Sequence, residues 1–232
     1  SGKHSIGPVT ISGPVGDRPP VRVSMNMMRR VILTWPLLAA ALLLTAGCGG
    51  GFRTAYDAPV PAGTAQGWRL EDVTVNVPET LTVSEAKAIL PRADIVWRED
   101  EGTDRRAQVR AILGDAVRAG AAGLTGSQGV TIALTVSRFH ALTFEAETRL
   151  RNAGVHDIEF TATITDAATG AVLKGPDAIE ASLPALAGVQ MATARARGET
   201  QKSQITAHVA RVIAGCLGTG PDPRGKFSRL GG

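Results

Sequence analysis

The chain has 232 residues, with 25 Lys and Arg, 21 Asp and Glu, 44% hydrophobic residues and 4% aromatic ones. That is enough for one domain with a substantial core, while two cysteines are too few for a disulfide-dense scaffold. Five bases (Lys3, Arg18, Arg22, Arg29, Arg30) and one acid (Asp17) precede residue 48, so the remainder carries equal numbers of each sign and no basic footprint for nucleic acid.

Residues 1–24 show no periodicity and read as a non-native or over-extended start ahead of Met25. Residues 25–47 hold the three parts of a secretory signal: Arg29-Arg30, an apolar run from Val31 to Leu44, and the small residues Thr45-Ala46-Gly47. The run falls short of the roughly 20 residues a membrane-spanning helix needs, and Pro36 interrupts it. Leu44-Thr45-Ala46-Gly47-Cys48 resembles a bacterial lipobox. That pattern predicts cleavage between Gly47 and Cys48, with covalent diacylglycerol and N-acyl lipid on Cys48. Each buried methylene contributes about 0.8 kcal/mol, so two or three acyl chains hold a protein to its membrane. Gly49 stands where a retention aspartate would, which favours the outer membrane over the inner. Cys216 is left without an intramolecular partner.

Residues 48–67 read as a flexible tether, from Gly49-Gly50-Gly51 through Pro59 and Pro61. A domain is expected over residues 68–218. Val73, Val75 and Val77 alternate with polar residues, the pattern of a half-buried strand ended by Pro78. Leu81 to Leu90 suits a short helical turn led by Ser84, and Ala93 to Trp97 a second strand. Between Asp104 and Leu124, Val109, Ile112, Leu113, Ala116 and Val117 form one helical stripe, with Thr103 or Asp104 as cap. Arg98 to Arg106 reads as a solvated loop and helix start. Val130, Ile132, Leu134 and Val136 alternate as a strand, but Phe139 falls on the opposite parity, which predicts a bulge or an edge near Arg138. A polar connection follows from Glu145 to Gly154, then a strand with Ile158, Phe160, Ala162 and Ile164 inward. Asp166 to Gly170 has hairpin-turn chemistry, and a returning strand starts at Ala171. The second long helix spans about Glu199 to Leu217, with Ile205, His208, Val209, Val212, Ile213 and Cys216 on one face. Residues 219–232 form a tail. The fold class is α+β: a single antiparallel sheet of about four to five strands with two helices packed on one face.

Five segments resemble a family of uncharacterised alphaproteobacterial lipoproteins, a domain family of unknown function. They are Tyr56-Asp57-Ala58-Pro59, Ala93 to Arg98, Arg138 to Thr143, Gly154 to Ile158 and Gly218 to Arg224. The resemblance implies a membrane-anchored envelope protein and carries over no catalytic residue.

The residues offer little chemistry of their own. Ser84-Glu85-Ala86-Lys87 matches Ser-x-x-Lys, which on a helix would place the amine near the hydroxyl. Its companion Lys-Thr-Gly is absent, and a capping serine beside a solvated lysine is the simpler reading. His140 and His156 would approach across paired strands, yet two histidines without a third ligand make a poor metal site. His208 and Cys216 read as core residues. No catalytic residue, metal or cofactor beyond the lipid is expected. The leading expectation is a non-catalytic scaffold that binds an envelope protein partner, with Arg138, Phe139, His140 and Leu142 on an exposed patch or strand edge. The alternative is a carrier for lipid or a small apolar molecule, with a cavity lined by Leu134, Phe160, Val117 and Ile213.

Overall fold

The computed structural model describes residues 51–151 and 153–228, together with Gly2 and Thr10. The chain divides after Gly50, and the unit of residues 51–232 is described by itself. The N-terminal extension, the signal segment, the Gly47–Cys48 cleavage site and residues 229–232 lie outside the described residues.

The described residues form eight strands: β1 (Phe52–Ala55), β2 (Trp68–Asn76), β3 (Ile95–Val96), β4 (Gln128–His140), β5 (Val155–Asp166), β6 (Val172–Ala181), β7 (Leu183–Pro184) and β8 (Gly225–Phe227). Five helices accompany them: α1 (Ala62–Ala65), α2 (Arg105–Gly120), α3 (Phe144–Arg149), α4 (Gly188–Ala196) and α5 (Gln201–Cys216). The strand order is β2-β4-β5-β6-β1-β8, with β3 added to β4 and β7 to β5. The class is α+β, but the expected antiparallel sheet of four to five strands is corrected to eight strands in a mixed sheet. Strands β2 and β4 run parallel, in register from Trp68 opposite Gln128 to Asn76 opposite Thr135. Parallel neighbours need a long crossover, and β3 and α2 lie within this one.

Pairing also removes most of the expected tether. Strand β1 bonds to β6 on one side and β8 on the other. Just after it, Tyr56, Val60 and Ala65 are buried. Glycine and proline there mark tight connections rather than free chain. The C-terminal tail is likewise drawn in: Tyr56 donates to Asp222 Oδ1 at 2.8 Å, and the Arg224 guanidinium lies 4.8 Å from the Tyr56 ring centroid.

The two long helices form as their stripes predict. Asp104 caps α2 by accepting from Ala107 N at 2.9 Å. Thr200 and Ser203 close a reciprocal capping box on α5. Val109, Ile112, Leu113 and Val117 of α2, Ile205, Val209 and Val212 of α5, and the inward rows of β4 and β5 join one buried cluster. Gly120 sits at the helix crossing: a Cβ there would lie 2.5 Å from Ala210 O and 2.8 Å from Ile213 Cβ. Leu134, Phe160, Val117 and Ile213 all belong to this packed cluster. None of them lines any of the three described clefts. No helix among the described residues is long and apolar enough to cross a membrane.

A second, small cluster of Leu142, Ala146, Ala185 and Ala187, with Ile89 and Leu150 against it, lies apart from the main core. Helices α3 and α4 were not anticipated. The segment read as polar, 145–154, is held as α3 by Thr143, whose hydroxyl accepts from Ala146 N at 3.0 Å and donates to Ala88 O at 2.8 Å.

Candidate binding cleft

The irregularity expected near Arg138 is present and shapes the site. The pairing of β4 with β5 shifts between Val136 and Arg138. One extra residue reverses which side chains face the core. Phe139 is thereby buried edge-on to Trp97, with ring centroids 5.8 Å apart. Arg138 and His140 turn to the opposite face, where His140 stands opposite Asp157.

On that side lies a cleft of about 290 Å³. Its apolar walls include Phe52 of β1, Ile89 and Leu90, and Leu142, Leu150 and Val155; Arg138, His140 and Asp157 are its polar lining. Arg138 Nε donates to Asp157 Oδ2 at 2.5 Å, and Ser182 Oγ donates to Asp157 Oδ1 at 2.9 Å. Arg138 Nη2 lies 3.0 Å from His140 Nδ1. A guanidinium can only donate, so Nδ1 accepts and the imidazole proton resides on Nε2. Beyond Arg138, burial and the neighbouring Asp157 and Glu180 carboxylates raise the Glu159 pKa above the ordinary range. Arg53 answers Glu180 across β1 and β6, with Nε donating at 2.7 Å. An apolar wall with a polar lining whose charges are largely paired suits an amphipathic ligand.

Three of the four sequence-chosen residues, Arg138, His140 and Leu142, thus line one cleft. Phe139 does not, because the bulge points it into the core. Nor is this stretch a free edge: β4 is flanked by β5 on one side and by β2 and β3 on the other.

The remaining candidates separate. His140 and His156 are not brought together. His156 points to the opposite face of β5, fully buried, with neither ring nitrogen hydrogen-bonded. Burial, with His208 nearby, lowers its pKa to about 3. His208 is half-buried rather than a core residue, and burial lowers its pKa to about 4. Its Nε2 lies 3.2 Å from Thr54 Oγ1, whose own proton goes to Ser182 O at 3.1 Å. Cys216 is buried as expected, and burial pushes its thiol up to about 11. The turn around Ser84 is not helical; Ser84 Oγ accepts from Ala86 N at 3.1 Å, so the Ser-x-x-Lys spacing does not form a helical pair. Among the described residues no group of three or more His, Cys, Asp or Glu could hold a metal ion.

Two charged networks escaped sequence reasoning. Arg105, expected in a solvated helix start, is only 6% exposed. It donates to Glu85 at 2.7 and 3.2 Å and to Asp100 O at 2.9 Å. Arg106 donates to Leu81 O at 2.7 Å. Together they strap the segment that leads to Ile89 and Leu90 of the cleft wall onto α2. Arg195 of α4 grips both oxygens of Glu147 at 2.9 and 2.8 Å and reaches Glu99 at 2.8 Å. Glu99 in turn caps α5 through Gln201 N and Lys202 N. Apart from Asp100, five residues from Arg105, these partners lie 20 to 103 residues apart, beyond any local sequence pattern.

The fold and cleft define an α+β domain with one small candidate site beside the β4–β5 bulge. The chain belongs to the family of unknown function DUF6778, which matches residues 68–232. No curated protein matches it. Among solved structures it is distantly similar to the PelC dodecamer from Paraburkholderia phytofirmans, with 12% identity over 72% of this chain and 97% of that one and a TM-score of 0.32. It is also distantly similar to a candidate lipoprotein from Caulobacter crescentus, with 19% identity over 45% of this chain and 76% of that one and a TM-score of 0.29.

Proposed function

We propose that this protein is a lipid-anchored, non-catalytic accessory component of the bacterial cell envelope, facing the periplasm and acting by binding a protein partner. The lipobox Leu44 to Cys48 carries the reading, because the folded unit begins only four residues later, at Phe52. Arg29-Arg30 ahead of an apolar run too short to span a bilayer supports it. Gly49 after the cysteine favours the outer membrane. The cleft supports binding over chemistry: its arginine and aspartate are committed to one another, and a serine hydroxyl is spent on Asp157.

Cross-linked affinity purification from whole envelopes, with Cys48→Ala as control, tests the reading. A defined protein set that depends on Cys48, together with an acyl mass on that residue, is the expected result. An unmodified Cys48, or the same partner set in both strains, would sink it.

A further inference from the structure

Three of the five large exposed apolar side chains among the described residues lie on segments at the cleft end, the other two being Val172 and Leu173 of β6. Leu90, on the cleft wall, is 62% exposed, and Phe144 and Val189 are 69% and 83% exposed. The segments carrying these three pack on one another. Thr143 bonds to Ala88 O, and Gly188 lies against the Leu150 carbonyl. Lys87 and Arg92 flank Leu90, while Arg149 and Arg151 flank Leu150, and all four are exposed. None of the four joins an ion pair among the described residues, whereas Arg98, Arg105, Arg138 and Arg195 nearby all do. On these two segments Glu145 is the one acid outside an ion pair. Exposed apolar side chains on segments that also carry exposed bases outside ion pairs are what an anionic membrane interface selects.

Chain length adds an independent constraint. Phe52 lines this cleft, and its ring stacks on Phe227 with centroids 6.0 Å apart. Four residues of chain span at most about 14 Å, so a lipid on Cys48 would hold this end of the domain close to the bilayer. We infer that the cleft end is a membrane-docking surface: Leu90, Phe144 and Val189 enter the interface, and Lys87, Arg92, Arg149 and Arg151 meet anionic phospholipid headgroups. The inference rests on the lipid-anchor reading for its orientation and names the bilayer as the occupant of the cleft rim.

The test uses the chain from residue 48 onward with Cys48→Ser, so that no acyl chain contributes. Residues 51–232 form a compact unit with its own core. Vesicles of phosphatidylglycerol and phosphatidylethanolamine in equal parts are compared with phosphatidylcholine vesicles. The expected result is salt-sensitive binding to the anionic vesicles alone, weakened at least roughly tenfold by Lys87→Glu with Arg149→Glu. Both side chains are exposed and unpaired, so the double variant retains its fold. A Phe144→Trp variant supplies a second readout, because Trp68 and Trp97 are buried; its emission should shift to the blue on adding anionic vesicles.

Absence of vesicle binding, or binding that survives both charge reversals with unshifted emission, overturns the inference. Self-association through these residues without vesicle binding also overturns it, in favour of a protein interface. The anchor is read separately. Lipid on Cys48 in the parent, with an unlipidated chain that ignores both vesicles, refutes the surface and leaves the anchor standing. Vesicle binding by a chain whose Cys48 is never modified does the reverse.

Discussion

The helix-covered core and the cleft end are built by opposite means. The core joins β2, β4, β5 and β6 to α2 and α5 through apolar side chains, most of them under 5% exposed. The cleft end has only a small apolar cluster and is held by guanidinium–carboxylate straps at Arg105, Arg138 and Arg195. Burial of apolar surface is non-directional and strong in sum, whereas an ion pair is strong only where geometry and burial favour it. The core therefore sets stability, and the cleft end holds a shape that can present exposed apolar groups.

Phe139→Ala attacks the point where the two regions meet and should have the largest effect. Phe139 is fully buried against Trp97, so about 4 kcal/mol of unfolding free energy should be lost in a urea titration. A loss near that of a surface substitution would mean that the bulge does not hold Phe139 in the core. Gly120→Ala comes next. Its Cβ would meet the backbone of α5, and overpacking there should cost about 2 kcal/mol. If the variant melts like the parent, the helices do not cross so closely.

The buried histidines give the core a pH dependence. The folded pKa of His156 is about 3 against an ordinary 6.5, so the unfolded chain binds the extra proton first. Its contribution is complete above pH 6.5 and is lost as the pH falls toward about 3. By pH 5 the loss is about 2 kcal/mol, and His208, lowered to about 4, adds in the same direction. Urea titrations of the parent and His156→Leu at both pH values check this; equal slopes against pH would refute it. The smallest effect belongs to the cleft end: Leu90→Ser, at a 62% exposed position, should shift stability by no more than about 0.5 kcal/mol. A larger loss would place Leu90 in a core of its own.

Much of the core was legible in the sequence because it obeys local periodicity. The stripes of α2 and α5, the alternation in β4 and β5 and the parity slip at Phe139 are all features of neighbouring residues. Strand β1 was not legible. Its four residues form a strand only because β6 and β8 supply partners from beyond residue 170, and a glycine- and proline-rich context gave the opposite signal. Helix α3 hid for a similar reason, since its short apolar face is buried against residues from distant segments. Within the site, Arg138, His140 and Leu142 were found together because a bulge is a local event. The segment that carries Leu90 is held by the Arg105–Glu85 and Arg106–Leu81 straps, which no spacing rule reports.

The resemblance segments show the same division. In the fold they gather into two groups. Tyr56 meets Asp222 and Arg224, while Ile95–Val96 pairs with Phe139–His140, beside His140 opposite Asp157. Composition and periodicity by themselves determined the α+β class and the two long helices, because each depends on residues close in the chain. Tertiary structure alone decided the parallel pairing of β2 with β4, the capture of β1 and the tail, and the separation of His140 from His156. Those outcomes depend on which distant hydrogen-bonding edges and charges meet, and that is settled only when the whole core closes.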